Sequence, residues 1–216
     1  MPRQPPLVRP KIVKGDLSEE QLQAYLDSGE VAVDTETMGL NPLRDRLCLV
    51  QLCDRKKRAT LVQIPNAAKK SAHRAPRLKQ LMEEPGVLKV FHFARFDVAT
   101  LRHHLGIHVR PLYCTRTVSK LVRTYTDRHG LKDLSLELLN VEMDKSARHT
   151  DWSLPNLRPE QVRYAISDVT LLLALKDRLE LMLERENRRD LARACFEVIP
   201  TLSILDLMGY EDVFVH

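Results

Sequence analysis

The sequence predicts an α/β fold, a mixed central sheet flanked by helices. Three observations carry this. Short apolar runs crowd residues 31–64 and one recurs at 87–91. A helical stretch separates the third run from the fourth. After residue 93 most of the chain shows apolar residues three and four apart, the spacing of helices packed by one face. Strands first, then a helix, a further strand and mostly helices give a layered α/β domain.

Taken in order, residues 1–14 carry four prolines and four basic residues and read as an extended basic arm, leaving 15–216 as a single domain. A short helix is expected over about 18–28, opened by Ser18 with Glu20 nearby. Val31 to Glu36 reads as the first strand, Leu47 to Cys53 as the second and Ala59 to Ile64 as the third. Asp54 to Arg58 suits a hairpin connection between the last two. A helix near 75–84 and a strand over Val87–Phe91 follow. Helices are expected over 93–105, 115–124, 131–140 and 159 to about 187, the last with Pro159 in the first turn, where a missing N–H costs nothing.

Bulk properties narrow the class. The chain has 216 residues, 44% of them hydrophobic, enough for one substantial core. No apolar run approaches the roughly 20 residues that span a bilayer, and the amino terminus lacks the apolar stretch of a secretory signal. Cys48, Cys53, Cys114 and Cys195 form no C-x-x-C pair and read as reduced thiols, so a cytoplasmic protein without membrane partners is expected. Net charge is +5, and from Arg55 to Lys79 there are nine Lys/Arg and no acid. A polyanionic partner is compatible with this; so is a solvated basic loop and helix face.

The chemistry lies in a few acids. Asp34 and Glu36 are two apart on the first strand, so both carboxylates leave one face while Val31, Val33 and Thr35 take the other. Adjacent like charges on an apolar strand call for a cation, a proton or solvent. Asp97 stands between Phe96 and Val98, one turn into the helix that follows the 87–91 strand. Tyr164 and Asp168 are four apart and share a helix face, with Asp168 among Ile166, Val169 and Leu171 to Leu173. Four carboxylates meeting at the carboxyl edge of a sheet supply hard oxygen ligands for two divalent ions. Such a pair, Mg²⁺ or Mn²⁺, serves in-line phosphodiester hydrolysis. A tyrosine beside the last aspartate can orient or help deprotonate the attacking water.

The ordered set D-T-E at 34–36, F-D at 96–97 and Y-x-x-x-D at 164–168 resembles the DEDD exonucleases. Arg163 stands where the oligoribonuclease-like branch has histidine, and Tyr164 places the resemblance in the DEDDy branch that includes RNase D. The stretch from Asp144 to Trp152 is also similar to RNase D. The segments Thr124–Lys132 and Leu205–Glu211 are similar to the narrower nano-RNase C group of alphaproteobacteria. The resemblance implies an RNase H-like exonuclease fold and 3′-5′ cleavage of very short RNAs, dinucleotides included, by a homo-octamer. It further implies that Asp34, Glu36, Asp97 and Asp168 hold the metals, and that Leu40 is a wedge between the last two bases.

His92, Arg123, Arg128, His129 and Lys132 are candidate phosphate contacts, which favour affinity over base selectivity. The stretch from Arg158 to Phe214 is a candidate subunit interface, or else a helical cap over the sheet. Two alternatives stand beside this reading: RNase D-like trimming of tRNA or other structured 3′ ends, and a catalytically inactive nucleic-acid-binding module. Single-stranded DNA is a further candidate substrate.

Overall fold

The computed structural model describes residues 2–66, 75–144, 150–210 and 213. Six strands form one mixed sheet: β1 (Lys11–Lys14), β2 (Glu30–Thr37), β3 (Leu47–Asp54), β4 (Ala59–Gln63), β5 (Leu88–Phe91) and β6 (Leu112–Cys114), in the order β1-β4-β3-β2-β5-β6. β2, β3 and β4 run antiparallel to their neighbours in turn, while β5 and β6 join β2 in parallel and β1 joins β4 in parallel. Because β2, β5 and β6 are parallel, their carboxyl ends share one edge.

The helices are α1 (Glu19–Leu26), α2 (Pro76–Glu83), α3 (Ala94–Leu105), α4 (Thr115–Val122), α5 (Leu131–Leu139), α6 (Pro159–Thr170), α7 (Leu172–Arg185) and α8 (Arg189–Met208). They cover both faces. Val31, Val33, Val50 and Leu52 pack with α1, α2 and α3 through Leu22, Leu78, Leu81 and Leu101. Ala32, Leu49, Leu61 and Val90 pack with α4, α6 and α7 through Val118, Ala165, Val169, Leu172 and Leu175. With both faces covered, β3 is buried at every position, which is why it reads as a continuous apolar run rather than an alternation. The β3–β4 hairpin closes as expected: the Asp54 carboxylate accepts from the Arg58 backbone N–H at 2.9 Å, and Lys57 takes a positive φ of 60°.

Three features depart from the expected elements. Residues 11–14 of the arm are an edge strand rather than free chain, and Arg3 bridges to Val141. Lysines at both ends of this strand suit a position where one backbone edge meets water. The helix expected over 159–187 breaks at Leu171, where the Lys57 ammonium takes the Thr170 carbonyl at 2.7 Å. The three-residue β6 and the 20-residue α8 have no counterpart among the expected elements.

The basic run is largely used within the fold. Arg55 pairs with Glu30 and Asp177, Arg58 with Asp54, Arg77 with Glu19 and Lys79 with Glu83; Lys69, Lys70 and Arg74 lie outside the described residues. Cys48, Cys53, Cys114 and Cys195 are free thiols, the first three buried. No described helix is long and apolar enough to cross a membrane.

Candidate active site

The strand alternation of β2 sorts its acids. Asp34 and Glu36 stand half-buried on the α6 face, opposite Gln51 and Leu49 of β3, and the Gln51 amide donates to Asp34 Oδ2 at 3.3 Å. Asp168 reaches the same place from α6, 5% exposed. One carboxylate oxygen from each of Asp34, Glu36 and Asp168 lies within 4.8 Å of the other two. Between Glu36 and Thr37 the β2–β3 register shifts, so regular pairing ends where the carboxylates gather.

α6 is aimed by its amino end. Pro159 sits in its first turn, and the Arg158 backbone N–H donates to Gln161 Oε1 at 2.9 Å. The buried Gln161 amide in turn donates to Thr150 Oγ1 and the Asp151 carbonyl. Tyr164 and Asp168 then project one above the other. The phenol is buried, hydrogen-bonded to Asp168, and backed by the Trp152 ring at 5.8 Å between centroids. Burial first, then the charges of Asp168, Glu36 and Asp34, hold the Tyr164 hydroxyl above the usual tyrosine range. It stays protonated at neutral pH.

Asp97 lies outside the close trio of oxygens but next to it, bonded to Thr35, the residue between Asp34 and Glu36. It lies in the first turn of α3, where the Thr35 hydroxyl donates to Asp97 Oδ1 at 2.6 Å and the Thr35 backbone N–H bonds the same carboxylate. Alternation points the Thr35 hydroxyl away from the face that carries Asp34 and Glu36, so β2 holds Asp97 by the residue between its two acids. Burial pushes the Asp97 carboxyl up to about 7, against the lowering effect of the Thr35 bond. The turn into α3 is made by Phe93, whose φ of 70° lies in the left-handed region. Its half-exposed ring is covered by the Arg116 guanidinium at 4.9 Å.

The candidate substrate contacts fall into two groups. Leu40 is 82% exposed on the loop after β2, a loop fixed by the Asp45 carboxylate, which accepts from the Asn41 N–H at 2.9 Å. Arg128 and Lys132 are exposed. His92 follows β5, with Nδ1 2.9 Å from Thr115 Oγ1. That hydroxyl donates its one proton to the Phe91 carbonyl, so His92 Nδ1 carries the hydrogen of the shared bond.

Arg123 is a correction. It is fully buried, pairing with Glu137 and donating to Ser119 Oγ and the Arg128 carbonyl. It holds the 123–130 turn to α5 and cannot reach a phosphate. His129 Nδ1 lies 2.8 Å from Ser119 Oγ. Burial, then Arg123, Lys120 and Arg116, hold its pKa below the ordinary histidine value. Thr35, Gln51 and Trp152, which shape the site, were not singled out as site residues from the sequence. Only the middle residue of D-T-E carried a signal, by sitting between two functional acids on the opposite face.

The donor set is oxygen only. Three carboxylates this close repel one another, and hard divalent cations that prefer carboxylate and water relieve that repulsion. Cys48, the nearby soft donor, is held neutral by burial, which pushes its thiol up to about 11. The residues therefore fit Mg²⁺ or Mn²⁺ better than a thiolate-seeking ion.

Known proteins fit this geometry. A family model described as 3′-5′ exonuclease matches residues 11–184, a span from β1 into α7 that holds all five candidate catalytic residues. Ribonuclease D of Zymomonas mobilis is 32% identical over 145 residues, 67% of this chain and 36% of that protein. Ribonuclease D of Gluconacetobacter diazotrophicus is 34% identical over 160 residues, 74% of this chain and 39% of that protein. The chain thus spans less than half the length of these curated relatives. Among solved structures, Brucella melitensis NrnC bound to pGG is 44% identical with a TM-score of 0.89, covering 97% of this chain and 100% of that one. Brucella melitensis NrnC with bound Mg²⁺ is 44% identical with a TM-score of 0.87, covering 95% and 98%. The chain belongs to the 3′-5′ exonuclease family.

Proposed function

We propose that this protein is a metal-dependent 3′-5′ exoribonuclease that hydrolyses short oligoribonucleotides, dinucleotides included, to nucleoside 5′-monophosphates. The observation that carries the reading is the convergence of Asp34, Glu36 and Asp168 within 4.8 Å beside the Tyr164 hydroxyl. Asp34, Glu36 and Asp168 would hold divalent ions, with Asp97 as the fourth carboxylate, presented from the α3 side by Thr35. Two such ions, when bound, supply activation of water and stabilisation of the leaving oxygen in phosphodiester cleavage. The residues contribute position. Tyr164, packed against Trp152, offers a fixed hydroxyl for orienting the water. Exposed Leu40 offers an apolar wedge for the last two bases, with Arg128 and Lys132 as candidate phosphate contacts.

Preference for short RNA is supported by the similarity to a protein solved with pGG, which extends over nearly all of both chains. Self-association, an octamer by the family resemblance, is part of the proposal. Leu181, Leu191, Val198 and Met208 leave apolar surface on α7 and α8 that another copy would cover. The buried free thiols suit a reducing cytoplasm.

The test is a time course with Mg²⁺ on 5′-labelled RNAs from a dinucleotide to a structured tRNA, with single-stranded DNA of matched length, beside Asp34→Ala. Rapid conversion of the dinucleotide, with the tRNA spared and no product from the variant, is expected. Efficient trimming of the tRNA with the dinucleotide left intact would overturn the substrate and favour RNase D-like processing. Equal product from Asp34→Ala would overturn the site.

A further inference from the structure

The loop that carries Leu40 is bonded more closely than its exposure would suggest. Residues 38–46 join β2 to β3 and leave Leu40 82% exposed, so its side chain adds little to the packing of the fold. Yet the loop is tied at each stage. Its stem closes where the Met38 N–H donates to the Arg46 carbonyl at 3.0 Å. Further in, Asn41 and Asp45 bond reciprocally. The Asp45 N–H donates to the Asn41 carbonyl at 2.7 Å, and the Asn41 N–H to Asp45 Oδ2 at 2.9 Å. The Asn41 side-chain oxygen accepts from the Leu43 N–H at 2.9 Å.

Asp45 is the centre of these contacts. Its side chain is 11% exposed, although Leu40, Asn41, Leu43 and Arg44 around it face water. Arg44 brackets the carboxylate at 2.7 and 2.9 Å. Gly39 lies against its other side: a Cβ at that position would stand 2.2 Å from Asp45 Oδ2 and 2.7 Å from its Cγ. Gly39 is not among the residues of positive φ. Glycine is therefore required here by the close approach of the carboxylate and not by the backbone conformation.

The loop is also fixed to the helix that carries Asp97. His104 Nε2 lies 3.1 Å from the Asp45 carbonyl, which can only accept, so Nε2 carries the hydrogen. His104 stands seven residues beyond Asp97, two turns along the same face of α3. One helix thus meets β2 through Asp97 and Thr35, and the loop through His104 and Asp45. The fourth carboxylate and the Leu40 loop share a support.

We infer that Asp45 is a positioning residue for the substrate: seated against Gly39 and tied to α3 through His104, it holds Leu40 where the two bases of a dinucleotide part. This rests on the proposed function, in which Leu40 is the wedge. A loop already in place loses little freedom when it receives a ligand, whereas a mobile one is ordered at the expense of affinity. A dinucleotide depends on this most, because it offers two bases and little else to hold. A longer strand adds contacts that do not pass through Leu40, so the loop favours short substrates.

The experiment measures equilibrium binding of labelled pGG with Ca²⁺ in place of Mg²⁺, and separately kcat with Mg²⁺ at saturating pGG. Gly39→Ala displaces the Asp45 carboxylate and Asp45→Ala removes it, while both leave Leu40 itself intact. Each should raise Kd up to about tenfold, the ordering cost of one or two side chains. Values of kcat, Mn²⁺ affinity and the unfolding midpoint should stay near wild type. Asp45→Asn keeps an oxygen for the Asn41 N–H and should fall between Asp45→Ala and wild type. Added to Leu40→Ala, neither Gly39→Ala nor Asp45→Ala should weaken binding further, since no wedge is left to place. Wild-type Kd in Gly39→Ala and Asp45→Ala, beside a weakened Leu40→Ala, would overturn the positioning role. So would a further loss in the double variants, or a matching fall in kcat and Mn²⁺ affinity, which would tie the loop to the metal centre instead. Wild-type Kd in Leu40→Ala would overturn the wedge and this inference with it. Failure of the proposed activity is seen separately, as pGG that binds and is not cleaved.

Discussion

Asp97→Asn should stabilise the metal-free protein at alkaline pH. The wild-type carboxyl is 4% exposed and raised from 3.8 to about 7 because burial outweighs the Thr35 bond. Below about pH 4 both folded and unfolded chains keep the proton, and the side chain causes no pH-dependent loss. Between about 4 and 7 the unfolded chain gives up its proton while the folded chain holds it, so stability falls as pH rises. Above about 7 the folded carboxylate is ionised, and the loss reaches a plateau of roughly 4 kcal/mol. Asparagine keeps an oxygen to accept from Thr35 and never ionises. For a chain of this length the difference corresponds to a Tm gain of roughly 5–15 °C. The assay is thermal unfolding of both proteins in EDTA at pH 4 to 9, read as variant minus wild type so that other titrating groups cancel. With excess Mg²⁺ the order should reverse, since the wild type then gains stability from an ion that the variant holds less well. A difference that stays flat from pH 4 to 9 in EDTA would refute the reasoning.

Other expectations follow from the same geometry. Tyr164→Phe removes a hydroxyl but no carboxylate, so turnover should fall about 10²-fold while Mn²⁺ affinity, read by paramagnetic titration, changes little. Arg123→Gln takes a buried cation from Glu137, Ser119 and the Arg128 carbonyl and should cost about 3 kcal/mol in denaturant unfolding. Its effect on KM should be no larger than that of other equally destabilised variants, because Arg123 touches no substrate. Leu40→Ala should raise KM for a dinucleotide while shifting unfolding by less than about 0.5 kcal/mol, because its side chain is 82% exposed.

Much of this site was legible because its signals are local. D-T-E falls at the end of an apolar strand, and alternation alone sends both acids to one face; Y-x-x-x-D uses the helical repeat in the same way. The apolar runs of β2, β3, β4 and β5 likewise stood out. What was not legible depends on contacts distant in sequence. β1 has too few apolar residues to read as a strand and is made one by its parallel partner β4. The break at Leu171 is tied to Lys57, more than a hundred residues earlier. Alternation placed Thr35 on the far face, but only the packing of α3 brings Asp97 to its hydroxyl. Arg123 looked like one more cation in a basic stretch, and its burial is set by Glu137 and Ser119 from two helices. The pairing of Arg55 with Asp177 similarly turns part of an apparent basic patch into an intramolecular ion pair at the surface.

The proposed reaction centre is the set of carboxylates gathered from β2 and α6. The most direct measurement is the Mg²⁺-dependent rate of monophosphate release from a 5′-labelled dinucleotide by wild type and by Asp168→Asn, each confirmed folded by its unfolding curve. A loss of about 10³-fold or more is expected in the variant, comparable to removing a principal charge-stabilising group. A variant within tenfold of wild type would contradict it and move the chemistry elsewhere on the chain.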